Sequence, residues 1–128
     1  MIYVDTSVVL ARLLAEDKRP PEELWVGSLV SSRLVVYETW VRLSALGLVA
    51  SHGEAAHAIL ARLALAELAP QVLARALEPF PMPVRTLDAL HLSTLHFLHQ
   101  RLGSVALASY DQRMAEAARR MGFAIQPL

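Results

Sequence analysis

The sequence predicts an α/β fold in which a central, mainly parallel sheet of four or five strands lies between two layers of helices. Segments 2–4, 31–38 and 104–111 are rich in apolar and β-prone residues and are predicted strands. Each of them is followed by a segment in which apolar residues recur with helical spacing. Strands that alternate with helices in this way form a parallel sheet covered on both faces.

The predicted elements of the first half of the chain follow one another closely. After the first strand, Val8, Val9 and Leu13 repeat with helical spacing, and a polar break at 16–21 ends that helix. Pro21 suits the first turn of a second helix, predicted to reach about residue 30. A helix after the second strand extends to Gly47. The serine-to-glutamate spacing at 51–54 predicts a capping box, which opens a helix to about residue 65.

The second half of the chain continues the alternation. A brief strand is predicted at 65–68 and a short helix from Pro70. Three prolines make 78–84 a stiff loop, because proline lacks the amide hydrogen that helices and central strands use. A long helix runs from Thr86 to Gly103, another follows the strand at 104–111 and ends at Gly122, and 123–125 is a last short strand. No repeat or linker divides the chain, so residues 1–128 form a single predicted domain.

Composition excludes several classes of protein. The hydrophobic fraction of 55% exceeds the roughly 45–50% of typical domains, and the surplus suggests a buried oligomer face. Every apolar segment is shorter than the roughly 18 residues of a membrane helix. The chain begins directly with a strand, so we expect no signal peptide and a cytoplasmic protein. The absence of cysteine excludes disulfides, thiolate zinc sites and cysteine nucleophiles. A net charge of +0 provides no global field to gather nucleic acid.

The placement of the acidic residues predicts a site. Asp5, Glu38 and Asp111 each stand at the end of a predicted strand, and Asp88 lies in the first turn of a predicted helix. Because parallel α/β sheets bind ligands beyond the carboxyl ends of their strands, we expect these acids to share one edge. Like charges at close range disfavour ionisation unless a cation compensates them. Oxygen ligands without cysteine favour Mg²⁺ or Mn²⁺.

For the first of these acids, a purely structural role is an alternative. Asp, Thr and Ser are residue types that cap helices, and Asp5, Thr6 and Ser7 directly precede the first helical pattern. Capping alone would explain these three residues. It would not explain why the remaining acids also follow strands or open a helix.

Other enzyme classes that begin with a strand and an acid lack their further motifs here. A haloacid-dehalogenase phosphatase requires a second aspartate two positions after the first, where this chain has Ser7. A response-regulator receiver needs a lysine late in the chain, whereas Lys18 is the only lysine. Rossmann and P-loop nucleotide sites need glycines in the first turn, and this chain has none there.

Four motifs together resemble those of a known family. They are VDTS at 4–7, VVYE at 35–38, RTLDALHL at 85–92 and SYDQRM at 109–114. In this order they resemble the four acidic motifs of the PIN-domain nucleases, and within that family the VapC-type toxins of prokaryotic toxin–antitoxin pairs. The resemblance covers essentially the whole chain and implies a PIN-like three-layer α/β/α fold.

The resemblance implies an endoribonuclease that depends on Mg²⁺ or Mn²⁺ and is the toxin of a type II toxin–antitoxin system. By that resemblance Asp5, Glu38 and Asp88 would bind metal, Asp111 would bind it directly or through water, and all four would be catalytic. RNA would be the substrate, and a cognate antitoxin and a second copy of the chain would be the protein partners. A non-catalytic PIN-fold scaffold that binds RNA or protein is the alternative.

Further side chains near the motifs are candidates for supporting roles. A hydroxyl of Thr6 or Ser7 would orient a ligand or a water molecule. The candidate RNA contacts are Arg12, Arg85, His91 and Arg113. The alternatives are solvated surface arginines and, for His91, a packed or hydrogen-bonded helix histidine.

Overall fold

A four-stranded parallel sheet forms the centre of the computed structural model, which describes residues 1–15 and 17–128. Glu16, the first residue of the predicted polar break, lies outside the described residues. The strand order is β3-β2-β1-β4, and every pairing between them is parallel. The strands are β1 (Ile2–Val4), β2 (Leu29–Ser32), β3 (Ala64–Ala66) and β4 (Ala106–Ala108). The α/β prediction is confirmed, and the segment predicted as a last strand makes a single parallel bridge between Ile125 and Leu107.

Helices cover both faces of the sheet. They are α1 (Thr6–Leu14), α2 (Leu34–Ala45), α3 (Val49–Leu60), α4 (Pro70–Ala76), α5 (Thr86–Leu102) and α6 (Gln112–Arg120), with a 3-10 helix at Glu22–Val26. Neighbouring residues of a strand point to opposite faces. Tyr3 accordingly packs in a core with Leu92 of α5 and Met114 of α6, whereas Val4 packs with Val8 of α1 and Val35 of α2. The three predicted layers follow from this alternation.

The predicted strand at 31–38 is wrong in its second half. Strand β2 ends at Ser32 and α2 begins at Leu34, so Glu38 lies in the second turn of a helix. The buried positions of α2 are Val35, Thr39 and Leu43, which recur every four residues. That helical period overrides the β propensity of the valines. The helix predicted to reach residue 30 is also too long, because the 3-10 helix ends at Val26 and the next residues enter β2.

The predicted capping box is wrong as well. Helix α3 begins at Val49 without a side-chain cap, and the Ser51 hydroxyl, already inside the helix, donates to the Leu48 carbonyl oxygen at 3.3 Å. The helix ends at Leu60, earlier than predicted, and β3 falls at 64–66. The predicted helix end at Gly47 is confirmed, since its φ of +69° is in the left-handed region that favours glycine.

The elements between Pro70 and Thr86 agree with the sequence prediction. Residues 77–85 contain no helix or strand, and α5 follows at Thr86. Pro70 occupies the first turn of α4, where its missing amide hydrogen carries no penalty. Among the described residues, no helix combines the length and apolarity needed to cross a bilayer.

Candidate active site

Two of the acids lie side by side at the carboxyl edge of the sheet. Strands β1 and β4 are parallel neighbours, and Asp5 and Asp111 come shortly after their last residues. Each acid also caps the helix that follows. Asp5 Oδ1 accepts from the Val8 amide at 3.3 Å, and Asp111 Oδ1 accepts from the amides of Arg113 and Met114 at 3.0 and 3.1 Å. The capping alternative is therefore correct for Asp5, and it accompanies the edge position that the sequence predicts.

Asp5 is enclosed by hydroxyl groups. Its side chain is only 3% exposed. The Ser7 hydroxyl donates to Oδ1 and the Ser109 hydroxyl donates to Oδ2, both at 2.6 Å. Burial raises the pKa of Asp5, while these hydrogen bonds from Ser109 and Ser7 act in the opposite direction. The hydroxyls thus partly replace water around a carboxylate that the fold has taken out of solvent.

Ser109 connects the two acids of this edge. While its hydroxyl donates to Asp5, its oxygen accepts from the Asp111 amide at 2.9 Å. Sequence reasoning assigned no role to Ser109, although it lies within the fourth motif. The signal that could have identified it is its position after β4, where a short hydroxyl side chain directly precedes the turn into α6.

Glu38 approaches from α2 and is held by two donors on one oxygen. Its Oε1 accepts from the Thr6 hydroxyl at 2.7 Å and contacts His91 Nε2 at 2.5 Å. The Glu38 side chain is 21% exposed, so it reaches from the layer of helices toward solvent at the edge of the sheet. Thr6 and Ser7 therefore contact different acids, Thr6 bonding to Glu38 and Ser7 to Asp5.

Asp88 lies in the first turn of α5 and is half-buried. Burial raises its pKa, and the negative charges of Asp111 and Glu38 raise it further, whereas His91 and Arg85 lower it. Asp88 makes no side-chain hydrogen bond or ion pair with any described residue. This carboxylate thus lies near two other negative charges, and no cationic side chain among the described residues forms an ion pair with it.

The donor chemistry of this edge suits a hard divalent cation, but the side chains are not closed around one. All four acids present carboxylate oxygens, the ligands that Mg²⁺ and Mn²⁺ prefer. Within residues 1–15 and 17–128, however, no three His, Asp or Glu side chains are close enough together to hold a metal ion. Hydrogen bonds explain part of this separation, since Asp5, Glu38 and Asp111 each bond to other groups. The metal-ligand assignment stays a prediction.

The candidate RNA contacts fall into different environments. Arg12 lies in the last turn of α1, roughly 9 Å along the helix axis from its start at Thr6. It pairs with Glu22 at 2.8 Å and does not join the acids. Arg85 is exposed, directly before α5, and its charge acts on Asp88. Arg113 is exposed in α6 and donates to the carbonyl oxygen of Pro83 at 3.0 Å.

His91 is the candidate whose surroundings differ most from those of a substrate contact. It is 2% exposed, and both ring nitrogens have partners, Glu38 on Nε2 and the Tyr3 hydroxyl on Nδ1 at 2.6 Å. These contacts favour the hydrogen-bonded helix histidine over a direct RNA contact. Sequence reasoning missed Tyr3, because an aromatic residue in a buried strand carries no sign of a polar partner.

Comparison with known proteins agrees with this architecture. Residues 2–120 match the PIN domain. Ribonuclease VapC46 of Mycobacterium tuberculosis (strain ATCC 25618 / H37Rv) is 33% identical over 127 residues, which cover 97% of this chain and 95% of that protein. Ribonuclease VapC35 of the CDC 1551 / Oshkosh strain is 33% identical over 133 residues, covering 98% and 95%. Ribonuclease VapC47 of the same strain is 28% identical over 129 residues, covering 96% and 93%.

Proposed function

This chain belongs to the PIN domain family, and from that premise we propose that it is an endoribonuclease that hydrolyses RNA phosphodiester bonds with Mg²⁺ or Mn²⁺. Its relatives over nearly the whole chain are named ribonucleases. The observation that carries the proposal is the grouping of carboxylates at the carboxyl edge of the sheet, where burial raises the pKa of Asp88 and the negative charges of Asp111 and Glu38 raise it further. A bound divalent cation would relieve the repulsion between these charges.

In this proposal Asp5, Glu38 and Asp88 hold the ion, and Asp111 holds it directly or through water. The ion, when bound, activates a water molecule for attack on the phosphodiester and stabilises the charge that develops on phosphate. Asp5 keeps its orientation through its two serine hydroxyls, at 2.6 Å on either oxygen. Such outer contacts fix the direction of a ligand's lone pairs before the cation arrives.

The exposed arginines supply the attraction for RNA that a net charge of +0 does not. Arg85 precedes Asp88 by three residues and its charge acts on that acid, and Arg113 follows Asp111 by two residues. Guanidinium groups bind phosphate through paired hydrogen bonds. Substrate phosphates on either side of the scissile bond would contact these arginines, which are the local basic groups of the site.

We further propose that the chain is the toxin of a type II toxin–antitoxin pair, acts in the cytoplasm and forms a homodimer. The VapC names of the relatives support the toxin assignment. Exposed apolar side chains support the proposal that the chain binds protein partners. Tyr37 and Val41 are 64% and 68% exposed, one turn apart on α2, and they flank Glu38. An antitoxin segment that covers them would lie beside Glu38.

One observation favours a second function, that of a PIN-fold scaffold that binds RNA or protein without cleaving it. Three of the four acids are occupied by hydrogen bonds, and no metal-binding group of three side chains occurs among the described residues. A scaffold would retain the basic residues and the apolar surface. It would not need the carboxylates to draw together around a cation.

Cleavage of a mixed RNA pool distinguishes the two functions. The purified protein, free of co-purified antitoxin, is incubated with Mn²⁺, with EDTA and as the Asp88→Asn variant. Asp17→Asn is the matched control, because Asp17 is an exposed aspartate outside the motifs. A nuclease cuts with Mn²⁺, stops with EDTA, and loses activity in Asp88→Asn but not in Asp17→Asn. A folded protein that binds RNA and leaves it intact in Mn²⁺ is a scaffold.

A further inference from the structure

Three hydrogen-bonded side chains connect the core with the acid cluster. The Tyr3 hydroxyl lies 2.6 Å from His91 Nδ1, and His91 Nε2 lies 2.5 Å from Glu38 Oε1. Tyr3 is completely buried and His91 is 2% exposed. The three residues come from β1, α5 and α2, and 88 positions of sequence separate Tyr3 from His91. A buried polar group without a hydrogen-bond partner lowers the stability of the fold, so each of these three side chains needs a partner.

The chemistry of a carboxylate sets the direction of these hydrogen bonds. An ionised Glu38 can only accept, so Nε2 of His91 carries the hydrogen between them. Nδ1 of a neutral ring then has a free lone pair, which accepts from the Tyr3 hydroxyl. The tautomer with hydrogen on Nε2 thus satisfies all three side chains; Glu38 selects it, and Tyr3 stabilises it by donating to Nδ1.

Both donors to Glu38 occupy the same oxygen. Thr6 and His91 bind Oε1, whereas Oε2 accepts from no described residue. With Oε1 fixed at two points, the carboxylate plane has a defined orientation and its second oxygen stays available. His91 also follows Asp88 by one turn of α5. A single helix therefore carries one of the acids proposed to bind metal and the side chain that holds another.

We propose that His91 and Tyr3 are positioning residues, which hold Glu38 so that its free oxygen is offered to the divalent cation shared with Asp88. This inference rests on the proposed metal-dependent function. His91 acts through Glu38 and does not touch RNA, and Tyr3 acts through His91. Thr6 holds the same oxygen from α1, so the orientation of Glu38 depends on two elements and not on α2 alone.

Two amide substitutions of His91 separate positioning from packing. The amide nitrogen of His91→Gln can reach the place of Nε2 and donate to Glu38, whereas the shorter His91→Asn reaches only the place of Nδ1. Both are polar, and they differ by one methylene group. His99→Gln is the control, since His99 lies two turns further along α5, and its Nδ1 accepts from the backbone amide of Val105, away from the acids.

The measurement is the dissociation constant of Mn²⁺, taken from the paramagnetic resonance signal of free Mn²⁺ with no RNA present. We expect His91→Asn to weaken binding by about 10–100-fold, as is usual when an outer-shell partner is lost. His91→Gln should bind within a few-fold of wild type, and His99→Gln should equal wild type. Equal binding by His91→Asn and wild type, or equal weakening by the Gln and Asn variants, overturns the positioning role.

A second readout does not depend on metal and covers the case in which His91→Asn fails to fold. Nitrogen NMR of ¹⁵N-labelled histidine reports which ring nitrogen carries hydrogen. We expect His91 to hold it on Nε2 in wild type and in Tyr3→Phe, and we expect Tyr3→Phe, which leaves Nδ1 without its donor, to bind Mn²⁺ more weakly. Tyr110→Phe is the hydroxyl control, because the Tyr110 hydroxyl bonds to no described residue. Hydrogen on Nδ1 in wild type, or Mn²⁺ binding by Tyr3→Phe equal to that of Tyr110→Phe, overturns the proposal.

The outcomes separate this inference from the function on which it rests. If wild type binds Mn²⁺ and Glu38→Gln weakens that binding while His91→Asn does not, the metal site stands and the positioning role is rejected. If wild type neither binds Mn²⁺ nor cleaves RNA, the proposed function fails, and the positioning role fails with it.

Discussion

Neutralising Asp88 should stabilise the metal-free protein and remove most of its response to Mn²⁺. Asp88 makes no hydrogen bond or ion pair with a described residue, and its pKa is raised by burial and by the charges of Asp111 and Glu38. Asp88→Asn keeps the shape of the side chain and removes one negative charge from the cluster. No hydrogen-bond partner is lost in the exchange, so the relief of repulsion decides the sign.

The expected shifts in Tm follow from the unfolding entropy, which depends on the length of the chain. With about 2.1 cal/mol/K per residue, 128 residues have an unfolding entropy of about 0.27 kcal/mol/K, so 1 kcal/mol corresponds to about 4 °C in Tm. Relieving repulsion between partly exposed charges is worth roughly 0.5 kcal/mol, or about 2 °C. An ion that binds only the folded state stabilises it by about 2.7 kcal/mol at 100 times its Kd, or about 10 °C.

Thermal unfolding in EDTA and in a Mn²⁺ series tests both effects. Wild type should rise by about 10 °C near saturation with Mn²⁺, and Asp88→Asn should start slightly higher and rise far less. Asp17→Asn, which changes the same residue type at an exposed position, should follow wild type. A wild-type Tm that is unchanged across millimolar Mn²⁺ would show that the folded protein does not bind the ion. Equal Mn²⁺ responses of wild type and Asp88→Asn would remove that residue from the ligand set.

Three further predictions concern the groups around the cluster. Burial raises the pKa of Asp5 and of Asp88 above the unfolded value of 3.8, so these carboxyls bind protons more tightly in the folded protein. The free energy of unfolding of the metal-free protein should therefore fall as the pH rises through the folded pKa values, and Mn²⁺ should reduce that fall; denaturant unfolding at several pH values measures it. Ser109→Ala leaves Asp5 Oδ2 and the Asp111 amide without their partner, which should cost about 1–3 kcal/mol and slow cleavage, measured by unfolding and by RNA turnover. Leu43→Ala, in the buried face of α2, should cost about 2–5 kcal/mol in unfolding while leaving the Kd for Mn²⁺ unchanged under folding conditions.

Much of the fold was predictable because its strands and helices alternate along the sequence. Strand β1 is a short apolar segment with a helix directly after it, and alternation of this kind leads to a parallel sheet. The start of α2 was not predictable, because Val35 and Val36 are β-prone and the buried position between Val35 and Leu43 is a threonine. A polar residue at Thr39 hides the apolar period that would have indicated a helix.

The candidate site, like the fold, could be predicted only in part. Asp5, Asp88 and Asp111 could be placed at one edge because each follows a strand or opens a helix, and chain order alone carries that information. The position of Glu38 inside α2 could not be predicted in this way. The contacts that orient them could not be predicted. Ser109 meets Asp5 across 104 positions, and Tyr3 meets His91 across 88. Such pairs depend on how the layers pack, and the spacing of residues in one chain does not reveal it.

The central claim is that these carboxylates share a divalent cation, and anomalous diffraction from crystals grown with Mn²⁺ tests it most directly. We expect an anomalous peak bounded by carboxylate oxygens of Asp5, Glu38 and Asp88, with His91 still bonded to the Glu38 oxygen that faces away from the metal. The peak should be absent in Asp88→Asn crystals grown in the same way. A fully occupied peak elsewhere on the molecule, or none at this edge in a protein that cleaves RNA, would contradict it.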